Sequence, residues 1–467
     1  MGTSAGRNAS TFWSTSDRAG LNGCTDHPAI ATRAPPPCGC GLTNPNDLKT
    51  LTMQQSLVLV LNCGSSSVKF TLLPVNGGAP LTAGIAESLC GDEPARLVIR
   101  RDGAKHVEAL PGSSHADALR AIFSHVQRNG WLKGVAAIGH RVVHGGERFR
   151  ESVVITSDVT RDIEAVSPLA PLHNAANLLG IRICSEMSPG ITQVAVFDTA
   201  FHQDMAAAAY TYAIPQSFYR AHGIRRYGFH GTSYRYVAAR AVDLLALDPR
   251  DHGIVVAHLG NGASACAIRN GKSVDTTMGL TPLEGLVMGT RSGDLDVGAA
   301  AHMGRAAGLD LEAVERLLNR ASGLLGLSEL SSDCRTLELA ADEGHSGALL
   351  ALEVFVHRLA RYIGALATSL HRFDAVVFTG GIGENSARIR AMTLRRLAVF
   401  GLSLDAKANQ QAFGGVCGRI DQGTGTQAWV IPTDEEGLIA RDAARLAGLS
   451  EQLGLCEGRR SRASAAG

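Results

Sequence analysis

The sequence lacks any marked excess of charge: 44 basic residues against 43 acidic ones leave a formal +1 over 467 residues. That balance supplies no electrostatic footprint for nucleic acid or for an anionic membrane. No apolar run approaches the ~20 residues a membrane-spanning helix needs. The ten cysteines show no CxxC spacing, and the only close pair is Cys38 and Cys40. Disulfide frameworks belong to short secreted chains, so reduced thiols in a cytoplasmic protein are expected. Among the 16 histidines no HxxxH metal pair with a carboxylate at metal spacing is expected, which argues against a zinc hydrolase.

Standard nucleotide fingerprints are also missing. Gly271-Lys272-Ser273 ends like a P-loop, but Cys266 stands where the first glycine is required. Gly381-Ile382-Gly383 begins like a dinucleotide motif, but Ser386 replaces its third glycine. Gly64-Ser65-Ser66-Ser67-Val68 misses a nucleophile elbow by one residue.

What is present divides at about residue 55. Residues 1–55 are rich in Ser, Thr, Asn, Gly and Pro without a sustained hydrophobic period, so a disordered extension is expected there. They lack the apolar core of a signal peptide. Met53 lies just before the first strand signal. Residues 451–467 are expected to form a flexible tail.

From Leu57 onward, short apolar runs alternate with helix-spaced patterns. Leu57–Leu61, Val68–Leu73, Val135–Ile138, Val194–Phe197, Ile254–Ala257 and Ala375–Phe378 read as strands. Ala116–Gln127, Leu311–Asn319 and Ala348–His371 read as helices. The alternation predicts α/β architecture. An internal echo adds to it: a strand, a small-residue turn (Asn62 to Ser67) and a second strand recur as a strand, Leu259 to Ser264, and a second strand. VAVFDTAFH (194–202) is likewise answered by AVVFTGGIGEN (375–385). The expected architecture is therefore two duplicated lobes with a cleft between them.

Each candidate motif has an ordinary structural rival. The Gly/Ser turns let backbone N–H groups approach a phosphate, with hydroxyls and Lys69 adding donors; a plain hairpin turn is commoner for one such case. Arg141 in GHRVVHGGE and Arg291 in MGTRSGD are flanked by glycines, which suits a bidentate grip on carboxylate or phosphate. For either arginine alone, a structural ion pair is the commoner reading. His173 in APLHN and His230 in YGFHGTS sit among small residues, as substrate contacts or as satisfied core histidines. FTGGIGENS (378–386) can admit a base or ribose, and a tight turn is its rival.

Taken in order, NCGSSSVKF, GHRVVHGGE, APLHN, VFDTAFH, RYGFHGTS, HLGNGAS, TPLEGLVMGTRSGD, FTGGIGENS and TDEE resemble the acetate kinase (acetokinase) family. The resemblance runs from about Ser56 to Gly448. It implies ribonuclease H-like lobes of the actin, Hsp70 and sugar kinase type: an N-terminal lobe at 56–197, with a C-terminal helix at about 437–450 packing back on it, and a nucleotide-binding lobe at 198–436. It further implies transfer of the ATP γ-phosphoryl group to acetate, giving acetyl phosphate and ADP, with magnesium (or manganese) and a homodimer. Propionate or butyrate kinase is the nearest alternative, and an ATP-gated binding protein a more distant one.

By the same resemblance, Asn62 and Glu435 hold the metal, and Asp198, Arg141, Arg291, His230 and His173 are catalytic. Ser65, Ser67 and Lys69 form a first phosphate turn, and His258, Gly260, Asn261 and Gly262 a second. Asp333, Arg335 and the loop Gly380, Gly381, Ile382, Gly383, Glu384, Asn385 line the adenosine pocket. Val143, Leu172, Phe229 and Pro282 surround the acyl chain, with Arg141 also on substrate. The sequence departs from the family at Tyr234, where His is usual, and at Gly437, expected to loosen the start of the last helix.

Overall fold

Strand β1 (Leu57–Cys63) reads LVLVLNC, apolar at nearly every position, as a strand buried on both faces must be. Its odd residues Leu57, Leu59 and Leu61 join a cluster with Ala118, Leu119, Ile122, Phe123 and Val126 of helix His115–Arg128. Its even residues Val58 and Val60 pack against Ile439, Ala440, Ala443 and Ala444 of helix Glu435–Leu446. Fully burying each Leu or Val contributes roughly 1.5–3 kcal/mol. The computed structural model describes residues 55–449, apart from Asp92 and the side chain of Leu172. The expected N-terminal extension, except Gln55, and the expected tail lie outside those residues.

Around β1, strands β2 (Val68–Pro74), β3 (Thr82–Glu87), β4 (Arg96–Arg101), β5 (Ala104–Ala109), β6 (Val135–Val142), β7 (Val153–Val154) and β8 (Thr192–Phe197) complete one sheet. Its order is β5-β4-β3-β2-β1-β6-β8-β7. A second sheet contains β9 (Gly253–Leu259), β10 (Ala263–Arg269), β11 (Lys272–Thr276), β12 (Ala375–Thr379), β13 (Gly418–Arg419) and β14 (Gln427–Val430), in the order β11-β10-β9-β12-β14-β13.

The two sheets share one topology. In the first, β1 is antiparallel to β2 and β2 to β3, while β6 runs parallel to β1 and β8 parallel to β6. In the second, β9, β10, β11, β12 and β14 repeat those five roles with the same polarities. Each sheet even ends on a two-residue antiparallel edge strand. The echo in the sequence is therefore a duplicated α/β lobe, of the ribonuclease H-like type shared by actin, Hsp70 and sugar kinases.

β9 repeats the two-faced burial of β1. Val255, Ala257 and Leu259 face Leu352, Phe355, Val356 and Leu359 of helix Ser346–Ala367. Ile254 and Val256 face Tyr234, Val237, Ala238 and Ala241 of helix Gly231–Leu244. Helix Ser346–Ala367 stops short of the expected His371. The N–H and hydroxyl of Thr368 both bond the Ala365 carbonyl and close the final turn. Gly437 does not loosen the last helix either: its N–H donates to the capping Asp434 carboxylate at 2.9 Å, in space that a Cβ would occupy.

Among the described residues, no helix is long and apolar enough to cross a membrane.

Candidate active site

The polar residues gather at the carboxyl ends of the parallel strands, where open α/β sheets bind ligands. Arg141 lies near the end of β6 and Asp198 directly after β8. Arg141 Nε donates to Asp198 Oδ1 at 2.9 Å, and Nη2 to Oδ2 at 2.5 Å. Asp198 is 1% exposed. Burial works against the charge of Arg141, but Asp198 and then Glu435 outweigh it and hold the guanidinium more firmly protonated. The backbone of Asp198 is fixed as well: its N–H donates to Val142 O, and its carbonyl accepts from Gly231 N at 2.9 Å.

Arg291 differs. Its recorded partner is the Pro282 carbonyl, at 2.5 Å from Nη1, and among the described residues it has no carboxylate within ion-pair distance. Burial, then the charge of Arg141, lowers its pKa to about 10. Two guanidiniums that repel each other, one of them unneutralised, make a site for an anion. The loop carrying Arg291 is held from several sides. Gly289 N bonds Asn261 O, Asp294 accepts from Gly285 N, and Met288 N bonds Arg291 O. Arg226 grips the carbonyls of Thr276, Thr277 and Met278 and the carboxylate of Glu284.

His230 sits beside Arg291. An added Cβ on Gly262 would lie 2.5 Å from Arg291 Nη2 and, at ordinary contact distance, 3.6 Å from His230 Nε2, so both groups face the same glycine. His230 adopts φ 58°, ψ 22° at the start of helix Gly231–Leu244, a left-handed conformation uncommon for a side-chain-bearing residue and one that clusters at functional sites. Its ring stacks on His258 with centroids 4.3 Å apart. Burial, then His258, Arg141 and Arg291, push the His230 pKa well below 6.5. Burial, then Arg141, lowers His258 to about 4. His173, on the first turn of helix Pro171–Met187, is lowered by burial, then by Arg141 and Arg291. All three rings are neutral at pH 7.

Glu435 opens the last helix, and burial raises its pKa to about 7 against the pull of Arg141. Lys69 lies close enough to act on it, and Asn62 faces Lys69 across the β1–β2 pair. Among the described residues, Glu435 makes no ion pair, and no group of three or more His, Cys, Asp or Glu side chains converges to cage a metal. That donor-poor set fits magnesium, which takes one or two protein ligands and keeps its remaining positions for water and phosphate. His140 and His144, four residues apart, form no metal pair: His140 bonds Gln193 at 2.7 Å, whereas His144 packs edge-on to Tyr227.

The remaining expected residues divide. Ser65 and Lys69 are exposed and Ser67 half-buried, on a turn closed by Gly64 N to Ser67 O at 2.8 Å. The second turn is closed by Gly260 N to Gly262 O, and Asn261 Oδ1 lies against Gly289. Val143 and Phe229 are buried in one apolar cluster with Met278 and Leu286; Pro282 is tied to Arg291, and the Leu172 side chain lies outside the described residues. Asp333 caps helix Cys334–Asp342 through Thr336 N at 2.8 Å, and Arg335 beside it is exposed.

Residues 380–385 form a short helix rather than a loop. Gly381 is exposed, Gly383 buried and Ile382 half-buried. Glu384 turns back to accept from Gly380 N at 2.8 Å and Thr433 N at 3.1 Å, and Asn385 accepts from Gly414 N.

Of four supporting residues, Asn174, Ser233 and Ser264 end the strings APLHN, RYGFHGTS and HLGNGAS, and Asn177 lies outside every motif. Asn177 joins Val143 N to Cys63 O, and Asn174 holds His144 at both its N–H and its carbonyl. Ser233 and Ser264 hold the Nδ1 atoms of His258 and His230, each at 2.8 Å. For Asn177 the sequence signal is that helix Pro171–Met187 spends a buried position on an amide side chain.

The Acetokinase family model matches residues 57–441. A propionate kinase of Yersinia enterocolitica is 52% identical over 390 residues, covering 83% of this chain and 95% of that one. An acetate kinase of Chromobacterium violaceum is 50% identical over 395 residues, covering 85% and 99%. Among solved structures, a propionate kinase from Francisella tularensis superposes with a TM-score of 0.80 at 42% identity, covering 84% of this chain and all of that one.

Proposed function

The chain belongs to the acetokinase family, and from that premise we propose that it transfers the ATP γ-phosphoryl group reversibly to acetate, giving acetyl phosphate and ADP. One observation carries the reading: Arg291, a half-buried guanidinium without a carboxylate partner among the described residues, lies within electrostatic reach of Arg141.

The chemistry requires that arrangement. A carboxylic acid with a pKa near ~4 is already ionised at neutral pH, so the nucleophile needs no base. The obstacle is charge. Two unit anions at 4 Å repel by roughly 4 kcal/mol at an effective dielectric of 20, and the γ-phosphate carries more than one charge. Arg141 and Arg291 draw the two anions together, His230 donates to the phosphoryl oxygens, and His173 lines the same space. Positioning and electrostatics then supply most of the rate of a loose in-line transfer. Asn62 and Glu435 would hold magnesium, which would supply positive charge against the phosphates. Ser65, Ser67, Lys69, His258 and Asn261 would contact the phosphates. Residues 333–335 and 380–385 would border the nucleoside, and Val143, Leu172, Phe229 and Pro282 the acyl methyl group.

Propionate is the second reading, favoured by the 52% identity to a protein named propionate kinase. One methylene in an apolar pocket is worth only ~1–3 kcal/mol, so both acids should react, acetate with the higher kcat/KM. Trapping the acyl phosphate with hydroxylamine, given ATP, magnesium and two-, three- or four-carbon acids, tests this. Absence of acid-dependent ADP formation overturns the kinase reading, and a higher kcat/KM for propionate overturns the acetate assignment. A homodimer in the cytoplasm completes the proposal.

A further inference from the structure

Tyr234, on the first turn of helix Gly231–Leu244, is 0% exposed. Its hydroxyl is hydrogen-bonded to Ser264 Oγ, and the same Oγ lies 2.8 Å from His230 Nδ1. Two hydroxyls and one ring nitrogen therefore form a chain whose proton directions can be worked out. Each hydroxyl has one proton to donate. Ser264 Oγ is the recorded partner of the Tyr234 hydroxyl among the described residues, and a buried O–H left without an acceptor carries a penalty comparable to a lost hydrogen bond. The phenol therefore donates to Ser264. The Ser264 proton is then free only for Nδ1, which must accept it. In a neutral imidazole one nitrogen accepts while the other bears the proton, so the proton of His230 is on Nε2. The opposite arrangement, Nδ1–H donating to Ser264, leaves one proton without an acceptor: the serine's if Ser264 also accepts from the phenol, or the phenol's if the serine proton turns onto the Tyr234 oxygen.

Nε2 is the ring nitrogen that faces Gly262, which Arg291 Nη2 also approaches. We propose that Tyr234 is a positioning residue which, through Ser264, locks His230 in the Nε2–H tautomer, so that a neutral imidazole donates a hydrogen bond to the oxygens of the transferring phosphoryl group. The identity of that acceptor rests on the kinase reading; the tautomer does not. In the wrong tautomer, the Nε2 lone pair would face an anion and repel it.

His258 shows what the tyrosine adds. Its Nδ1 also meets a serine, Ser233, whose second neighbour is Thr433 Oγ1 at 2.8 Å. A threonine hydroxyl rotates and can accept as readily as donate, so nothing in that chain imposes a direction. The buried phenol imposes one on His230.

The test is nitrogen-15 spectroscopy of the full-length enzyme labelled at histidine, without substrate, with the His230 ring assigned by its loss in His230→Asn. Two-bond proton–nitrogen correlations distinguish a protonated Nε2 from a protonated Nδ1. The wild-type ring should show Nε2–H. In Tyr234→Phe, which keeps the ring volume and removes the donor, the Nδ1–H form should appear, and kcat should fall about tenfold with KM values moving less than about twofold. Ser264→Ala should do the same, and the double variant should be no worse than Ser264→Ala alone, because one relay is broken twice. Tyr234→His, which restores a ring N–H donor, should recover part of kcat. A wild-type ring protonated on Nδ1, or a Tyr234→Phe enzyme with unchanged tautomer and kcat, overturns the proposal. If the tautomer shifts but no acid is phosphorylated by the wild type, the relay stands and the kinase reading fails.

Discussion

Both carboxylate oxygens of Asp198 are taken by one partner, Arg141, through Nε at 2.9 Å and Nη2 at 2.5 Å. A carboxylate so engaged orients its arginine and has little capacity left to remove a proton, and the acceptor acid needs no base. Asp198→Asn cannot reproduce the two-point grip, because the amide nitrogen offers a donor where the guanidinium also offers one. The expected loss in kcat/KM is about 10²–10³-fold, at the scale of removing one preorganised electrostatic contact. A positioning role predicts that the pH–rate profile keeps its shape while its height falls. A profile that loses its acidic limb in the variant would restore Asp198 as a base.

Arg141→Lys keeps the charge and discards the planar fork. One ammonium cannot bond both Asp198 oxygens along parallel N–H vectors and still address a substrate oxygen from the same plane. Turnover should fall at least about 100-fold, while binding of free ADP, measured by calorimetry, changes little. Near-normal turnover would show that charge alone suffices there.

Arg291 should behave differently in stability. It sits in a half-buried place against the charge of Arg141, with a carbonyl as its recorded partner, so in the free enzyme it is a strained cation. Arg291→Ala removes that repulsion, and its Tm should equal or exceed that of the wild type while kcat falls about 10³-fold or more. The variant should also lose the stabilisation that saturating acetyl phosphate gives the wild type, since a ligand stabilises only in proportion to its differential binding. A marked drop in Tm would mean that Arg291 serves the fold.

The duplicated architecture was legible because its central strands are buried on both faces and must be apolar throughout. β1 and β9 advertise themselves as LVLVLNC and GIVVAHL. β4 and the edge strand β5 stayed hidden: RLVIRR has only three apolar residues in a row between exposed arginines, and every residue of AKHVEA is exposed. Helix Gly231–Leu244 stayed hidden as well, because it begins in the glycine and small polar residues of RYGFHGTS. The site was legible where glycines flank a charged residue, as around Arg141 and Arg291. It was illegible where support comes from common residues in the core. Asn174, Asn177, Ser233 and Ser264 show their roles only when three-dimensional neighbours reveal which donors they satisfy.

Buried histidines set how the fold tolerates acid. Burial lowers the pKa values of His140 and His202 to about 4, and their ring nitrogens bond Gln193 Oε1 and, for His202, Ser273 Oγ and Phe229 O. Both stay neutral in the fold, whereas in the unfolded chain they take up a proton below about pH 6.5. The unfolded state therefore binds more protons as the pH falls. The stability these two groups support is complete above about pH 6.5 and drains away between there and about pH 4. Each can add up to about 1.4 kcal/mol per pH unit to the slope in that window. Glu435, whose pKa is raised to about 7, acts in the opposite sense, so the absolute slope is a sum of opposed contributions. Comparing His140→Asn with the wild type cancels everything but one ring. The variant keeps a side-chain N–H for Gln193 and loses the titration. Its urea-derived unfolding free energy should lie below the wild type at pH 7.5, with the gap narrowing by about 1 kcal/mol or more by pH 5.5. Parallel curves for the two proteins would mean that His140 is protonated in the native state and that its burial costs the fold nothing in acid.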